Sequence, residues 1–192
     1  MRWLVFFIFT FVLLTLEVGL RPLWALPIGP YHDAAPSLLL VLGIFISINA
    51  SSGVVICAML LLGALVDLTQ PIGKLEPIRE IVLLGPSALG FFLGGLLAMR
   101  LRTLVFRDSV ITLVVMTFTV GLFIELATVL IIGARQLLPT DPIPDWHIAS
   151  QLMQRAMSVI YSAIVAIALG LVLGRSRRAW QFYASRGSSM LG

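Results

Sequence analysis

The sequence predicts an all-α integral membrane protein, a six-span helical bundle forming one transmembrane domain over residues 1–192. Three observations carry this. Charged residues make up 11% of the chain and fall in clusters separated by long uncharged runs. With 59% hydrophobic residues there is too little polar surface to coat a soluble globule. Finally, the longest hydrophilic stretch, Gly133 to Gln154, is well below the ~40 residues that a domain needs without disulfides or metals.

An apolar run of roughly 18 residues crosses the ~30 Å hydrocarbon core as a helix, and six segments read as spans on that basis. The first, Trp3 to Leu20, follows Arg2. It is long for the apolar part of a signal peptide, Glu17 interrupts its end, and no small-x-small cleavage site follows, so an uncleaved span is expected. The second and third, Ala35 to Ile48 and Ser52 to Val66, belong to one apolar run broken only at Asn49–Gly53. That run is too long for one span and slightly short for two, which predicts a tight hairpin of two abbreviated helices. The fourth, fifth and sixth are Ile81 to Met99, Ser109 to Ile132 and Ala156 to Gly174.

Orientation follows from the basic residues. With six spans and a cytoplasmic N-terminus, the inner side holds Arg2, Arg100, Arg102, Arg107, Arg175, Arg177, Arg178 and Arg186, and the outer side Arg21, Lys74, Arg79, Arg135 and Arg155. The outer set is diluted by Asp33, Asp67, Glu76, Glu80, Asp141 and Asp145, so the positive-inside rule places both termini in the cytoplasm. Trp3 and Trp180 then fall near the inner surface and Trp24 and Trp146 near the outer one, where amphipathic rings are comfortable. Prolines concentrate in the outer connections, at positions 22, 27, 30 and 36, at 71 and 77, and at 139, 142 and 144, which predicts extended, stiff segments there.

The isoelectric point near 10 does not indicate nucleic acid, because the net charge is only +4 and the basic residues sit at helix ends rather than on one face. The single Cys57 lies in an apolar run, which excludes an internal disulfide and a CxxC motif, and reads as packing. His32 and His147 stand in outer loops beside acids, with no second His or Cys at ligand spacing. Phosphate-binding, serine-hydrolase and zinc-protease motifs are missing from the sequence. A catalytic role has no residues to carry it, and no cofactor or metal is expected.

What stands out instead is three carboxylates in or at the ends of spans: Glu17, Asp67 and Glu125. All three fall in the outer half of the bilayer, where an ionisable group is costly and faces the bundle interior or a wet cavity. Two readings remain open. Each carboxylate is satisfied locally, Glu17 by Arg21, Asp67 by interfacial water and Glu125 by Arg155 or Arg135, or together they line an outward pocket or helix-docking groove. Asp67 also begins a turn running to Gly73, so its carboxylate can receive the free N–H groups of the following helix. Gly90 and Gly94, with Gly95 beside them, and Gly170 with Gly174, have the small-residue spacing that lets membrane helices approach closely, within the bundle, against a partner span or in self-association.

The middle of the chain resembles the MreD family of rod shape-determining membrane proteins. The residues are Pro36-Ser37-Leu38-Leu39-Leu40, then Gly53, Gly63-Ala64-Leu65-Val66-Asp67-Leu68, the turn Pro71-Ile72-Gly73, and a Gly-rich span from Leu84 to Leu97. The family pattern has Pro-Asp before the leucines, and here Ser37 replaces that acid. The resemblance implies a non-catalytic subunit of the cell-elongation machinery. It would lie beside the single-span protein MreC and help join cytoplasmic MreB filaments to the wall synthases outside. The family is similar in size and span number to the substrate-binding S components of energy-coupling vitamin transporters. That is the alternative reading, and it requires a deep outward pocket with convergent polar and aromatic groups.

Overall fold

In the computed structural model the described residues are 2–29, 32–69, 73–76, 79–81, 84–105, 109–136 and 148–180, with the backbone alone for 26–33, 73–76, 79–81, 136 and 177–179. The protein is built from helices: α1 (Trp3–Gly19), the short α2 (Arg21–Trp24), α3 (Leu38–Asn49), α4 (Ser52–Thr69), α5 (Pro86–Leu101), α6 (Val110–Gln136) and α7 (Ile148–Trp180). Three of them, α4, α6 and α7, are long and apolar enough to cross a membrane, while α1, α3 and α5 are shorter apolar helices.

Two connections between the helices of this all-α protein carry short strands. Strands β1 (Leu26–Gly29) and β2 (His32–Ala34) pair antiparallel, as do β3 (Gly73–Glu76) and β4 (Arg79–Ile81). Of these strands β1 carries a proline, Pro27, whose fixed φ suits extended backbone. The second hairpin also moves the start of the fourth apolar helix from the expected Ile81 to Pro86, because Arg79–Ile81 is spent as a strand. Proline is well placed in the first turn of α5, where its missing N–H costs nothing. The hydrophilic stretch expected between the last two spans is shorter than its composition suggests, since α6 runs to Gln136 and α7 starts at Ile148.

The centre of the molecule is α3. Every one of its residues from Leu38 to Asn49 is buried, as a helix apolar all round requires. It touches α1, α4, α5, α6 and α7, and around it α4, α5, α6, α7 and α1 follow one another as packed neighbours. The backbone N–H of Arg2 donates to the carbonyl of Trp180 at 3.2 Å, so the two ends of the described chain meet at one end of the bundle.

Length dictates what must happen at the ends of α3. Twelve residues rise only about 18 Å, against a hydrocarbon core of ~30 Å. Its free N–H and C=O groups therefore stop short of at least one membrane surface, where no water is available and protein groups must satisfy them. Asn49 and Ser47 return their side chains to the carbonyls of Phe45 and Gly43 within the last turns. The remaining groups are met by other helices.

Two sequence expectations fail on burial. Trp180 is fully buried, its ring 5.1 Å from Phe9 and 5.8 Å from Phe45 and its indole N–H donating to Ser176 Oγ at 3.0 Å, so it fastens α7 to α1 and α3 instead of sitting in the interfacial belt. Cys57 is exposed on α4 and is not a packing residue of the core. Cys57 misleads because an apolar helix in lipid shows no polar stripe to mark its outer face, whereas Trp180 follows the basic run from Arg175 to Arg178, which does not show which way the ring turns. Trp3 is 39% exposed, and Trp146 lies outside the described residues.

Candidate functional site: carboxylates on helix ends

Glu17, near the end of α1, reaches the start of α3. Its Oε2 accepts from the backbone N–H of Leu38 at 2.8 Å and of Leu39 at 3.0 Å. Ser37 is the N-cap, its Oγ accepting from Leu40 N at 3.3 Å. The backbone N–H of Ser37 is taken by Ser162 Oγ of α7 at 2.8 Å, and Ser158 of α7 donates to the carbonyl of Ala35 at 2.5 Å. The entry to α3 is thus held by α1 and α7 together. A negative charge there also opposes the positive end of the helix dipole. Arg21 shares a small recess with Glu17, Trp24 and Pro36, and that recess has no room for a water. The main partners of Glu17 are backbone donors rather than the expected Arg21.

Asp67 does the same at α5. Its Oδ2 accepts from Gly85 N at 2.8 Å and Ala88 N at 3.2 Å, and its Oδ1 from Ser87 N at 2.9 Å. Gly85, at φ +124°, supplies the left-handed backbone that aims its N–H at the carboxylate. Asp67 is 2% exposed, which places it against protein and not in interfacial water.

The two arrangements are similar in chain order, although α2 intervenes in the first and only the N–H groups of Leu38 and Ala88 correspond. Each consists of an apolar helix, a β-hairpin, and a second helix entered through Pro-Ser, with a carboxylate from the first helix on the N-terminus of the second. Asp67 follows Glu17 by the same interval at which Pro86-Ser87 follows Pro36-Ser37. Glu125 departs from this pattern. It lies within α6 and pairs with Arg155 of α7 at 2.5 Å, both side chains being less than one-fifth exposed. The Nε of Arg155 is buried and lacks a partner among the described residues.

The opposite end of α3 is met by Arg102, just beyond α5. One guanidinium nitrogen donates to Ala50 O at 2.6 Å and Ser47 O at 3.4 Å, and the other to Ser52 Oγ at 3.3 Å. A cation at the C-terminus complements the dipole that Glu17 complements at the N-terminus. Sequence reasoning missed this role, because an arginine at the inner end of a span looks the same whether it faces lipid headgroups or a buried carbonyl.

The glycines lie on two contacts of α5. Gly90 and Gly94 face α6, where an added Cβ would collide with Thr128 and Ile124, and Gly95 faces Met59 of α4. Gly63 of α4, not singled out by spacing, makes the tightest backbone approach to α5. Gly170 packs on Val110 and Leu113 of α6, while nothing approaches Gly174. Gly73 begins β3. The side chain of His32 and the whole of His147 lie outside what is described. Among the described residues no three His, Cys, Asp or Glu side chains come close enough to hold a metal ion.

The Glu125–Arg155 pair allows a clean test. Glu125→Ala leaves a buried guanidinium uncompensated and is expected to cost about 2 kcal/mol, discounted from the fully buried case for partial exposure. Glu125→Met with Arg155→Met should recover most of that loss. Thermal unfolding of the three variants in detergent checks it, and a double variant less stable than Glu125→Ala would contradict it.

Comparison with protein families, curated proteins and solved structures finds no match to this chain.

Proposed function

We propose that this protein is a non-catalytic, six-span scaffold of the bacterial cell-elongation machinery, placed in the inner membrane beside an MreC-like single-span protein and linked through it to wall synthases and MreB filaments. The observation that carries the reading is where the buried charges go. Glu17, Asp67 and Arg102 hold backbone groups of this chain, and Glu125 holds Arg155, so the polar chemistry inside the bundle supports helix ends instead of a substrate. A bundle whose central helix is fixed at both ends presents constant outer faces, which is what a docking subunit requires. The motifs from Pro36 to Leu97 supply the family resemblance.

Recovery of associated proteins from native membranes tests this directly. An MreC-like protein and wall synthases should copurify. Recovery of ATPase and transporter subunits would instead establish the vitamin-transporter alternative.

The scaffold has both termini in the cytoplasm. In a chain with Cys57 replaced, cysteines at Ser51, Thr103 and Ser188 should resist an impermeant thiol reagent added to intact cells, while those at Gly73 and Thr140 react. Labelling at Thr103 from outside would reverse the orientation.

A further inference from the structure

At the end of the bundle where Arg2 and Trp180 meet, a cleft of about 590 Å³ opens beside α5. Its floor is Leu93, Leu96 and Leu97 of α5 with Phe123 of α6, and Arg100 and Arg102 stand at its mouth. We propose that this cleft is a binding site for one anionic glycerophospholipid from the leaflet on the side of the termini, with an acyl chain on the leucines and the phosphate at the two arginines.

The shape fits a lipid. Leu93, Leu96 and Arg100 fall on one face of α5, so the apolar floor runs about 10 Å from the guanidinium toward the bilayer centre, within the depth of one leaflet. The charge selects an anionic headgroup. Arg102 is fixed in place by Ala50 O and Ser52 Oγ, yet a guanidinium has five N–H donors and these contacts leave some unused. The Arg100 side chain is exposed and has no hydrogen-bond acceptor or carboxylate partner among the described residues. The described buried carboxylates, Glu17, Asp67 and Glu125, are all committed within the bundle. Arg102, held against the end of α3, and the exposed guanidinium of Arg100 beside it suit the oxygens of a phosphate, and basic pockets between helices favour anionic headgroups. The side chains of a partner helix would fill the floor equally well but would leave the guanidinium groups unmatched.

The test uses the full chain in nanodiscs containing equal phosphatidylglycerol and phosphatidylcholine with identical chains, released into native mass spectrometry. Wild type should retain phosphatidylglycerol about fivefold over phosphatidylcholine. Arg100→Gln, on an exposed side chain that holds no helix end, should abolish the preference. Arg135→Gln, an exposed arginine in the last turn of α6, should preserve it. Leu96→Trp should reduce retention of both lipids by filling the floor. No preference in wild type, a preference that survives Arg100→Gln, or unchanged lipid retention in Leu96→Trp overturns the proposal. A photoreactive residue at Leu93 in native membranes should give a phospholipid adduct, and an adduct to another protein would likewise overturn it.

Discussion

Replacing Asp67 with Leu is expected to destabilise the bundle by about 4 kcal/mol and to remove most of the protein from membranes. The substitution strands the backbone N–H groups of Gly85, Ser87 and Ala88, at a site only 2% exposed, and each unsatisfied donor costs about 1–3 kcal/mol. It also removes the negative charge from the start of α5. Asp67→Asn is the informative control. With its oxygen at the Oδ2 position it keeps the bonds to Gly85 and Ala88, but its NH₂ then faces the N–H of Ser87, so a smaller loss of about 1–2 kcal/mol is expected. Membrane abundance and thermal unfolding in detergent should rank wild type, Asn and Leu in that order. Equal tolerance of Asn and Leu would show that α5 does not depend on this cap.

Glu17→Leu should fail by the same mechanism with a smaller effect, since Ser37 and Ser162 still serve the entry to α3. The parallel explains why two acids appear at corresponding places in a chain otherwise so poor in charge. A helix that ends inside apolar surroundings cannot leave its first N–H groups bare, and a carboxylate from the neighbouring helix accepts several at once.

The apolar helices were legible because lipid imposes length and composition, and the tight α3–α4 turn follows from a run too long for one helix and short for two. The position of Asp67 before a turn also suggested a helix N-terminus as its partner. Which α3 face met which neighbour was not legible, because every face is apolar and no periodicity marks an inside. The same uniformity concealed the exposure of Cys57. Arg102 and Ser162 were hidden for a different reason. Their partners, the carbonyl of Ala50 and the N–H of Ser37, are distant in sequence and carry no side-chain signature.

Glycine spacing was legible only in part, and the difference sets up the second large effect. Gly63→Ala is expected to cost about 3 kcal/mol, whereas Gly53→Ala, on the same helix, should be neutral or stabilising by up to about 1 kcal/mol. A Cβ on Gly63 would stand 2.6 Å from the Cα of Ala88 and 2.7 Å from the carbonyl oxygen of Ser87, and backbone atoms cannot rotate away. The helices must separate, and Asp67, one turn further along α4, would be drawn from the N–H groups that it holds on the same segment of α5. At Gly53 a Cβ meets nothing within 4 Å, so only the gain in helix propensity remains. Gly95→Ala should fall between them, because its nearest neighbour is Met59 Cγ at 3.0 Å and a methionine side chain can adjust. Thermal unfolding of the three variants should therefore give Gly53→Ala above Gly95→Ala above Gly63→Ala. Because the Gly63 contact and the Asp67 cap share α5, Gly63→Ala and Asp67→Leu should also be less than additive when combined. Full additivity would mean that the close approach of α4 to α5 and the cap on α5 are independent, contrary to their geometry.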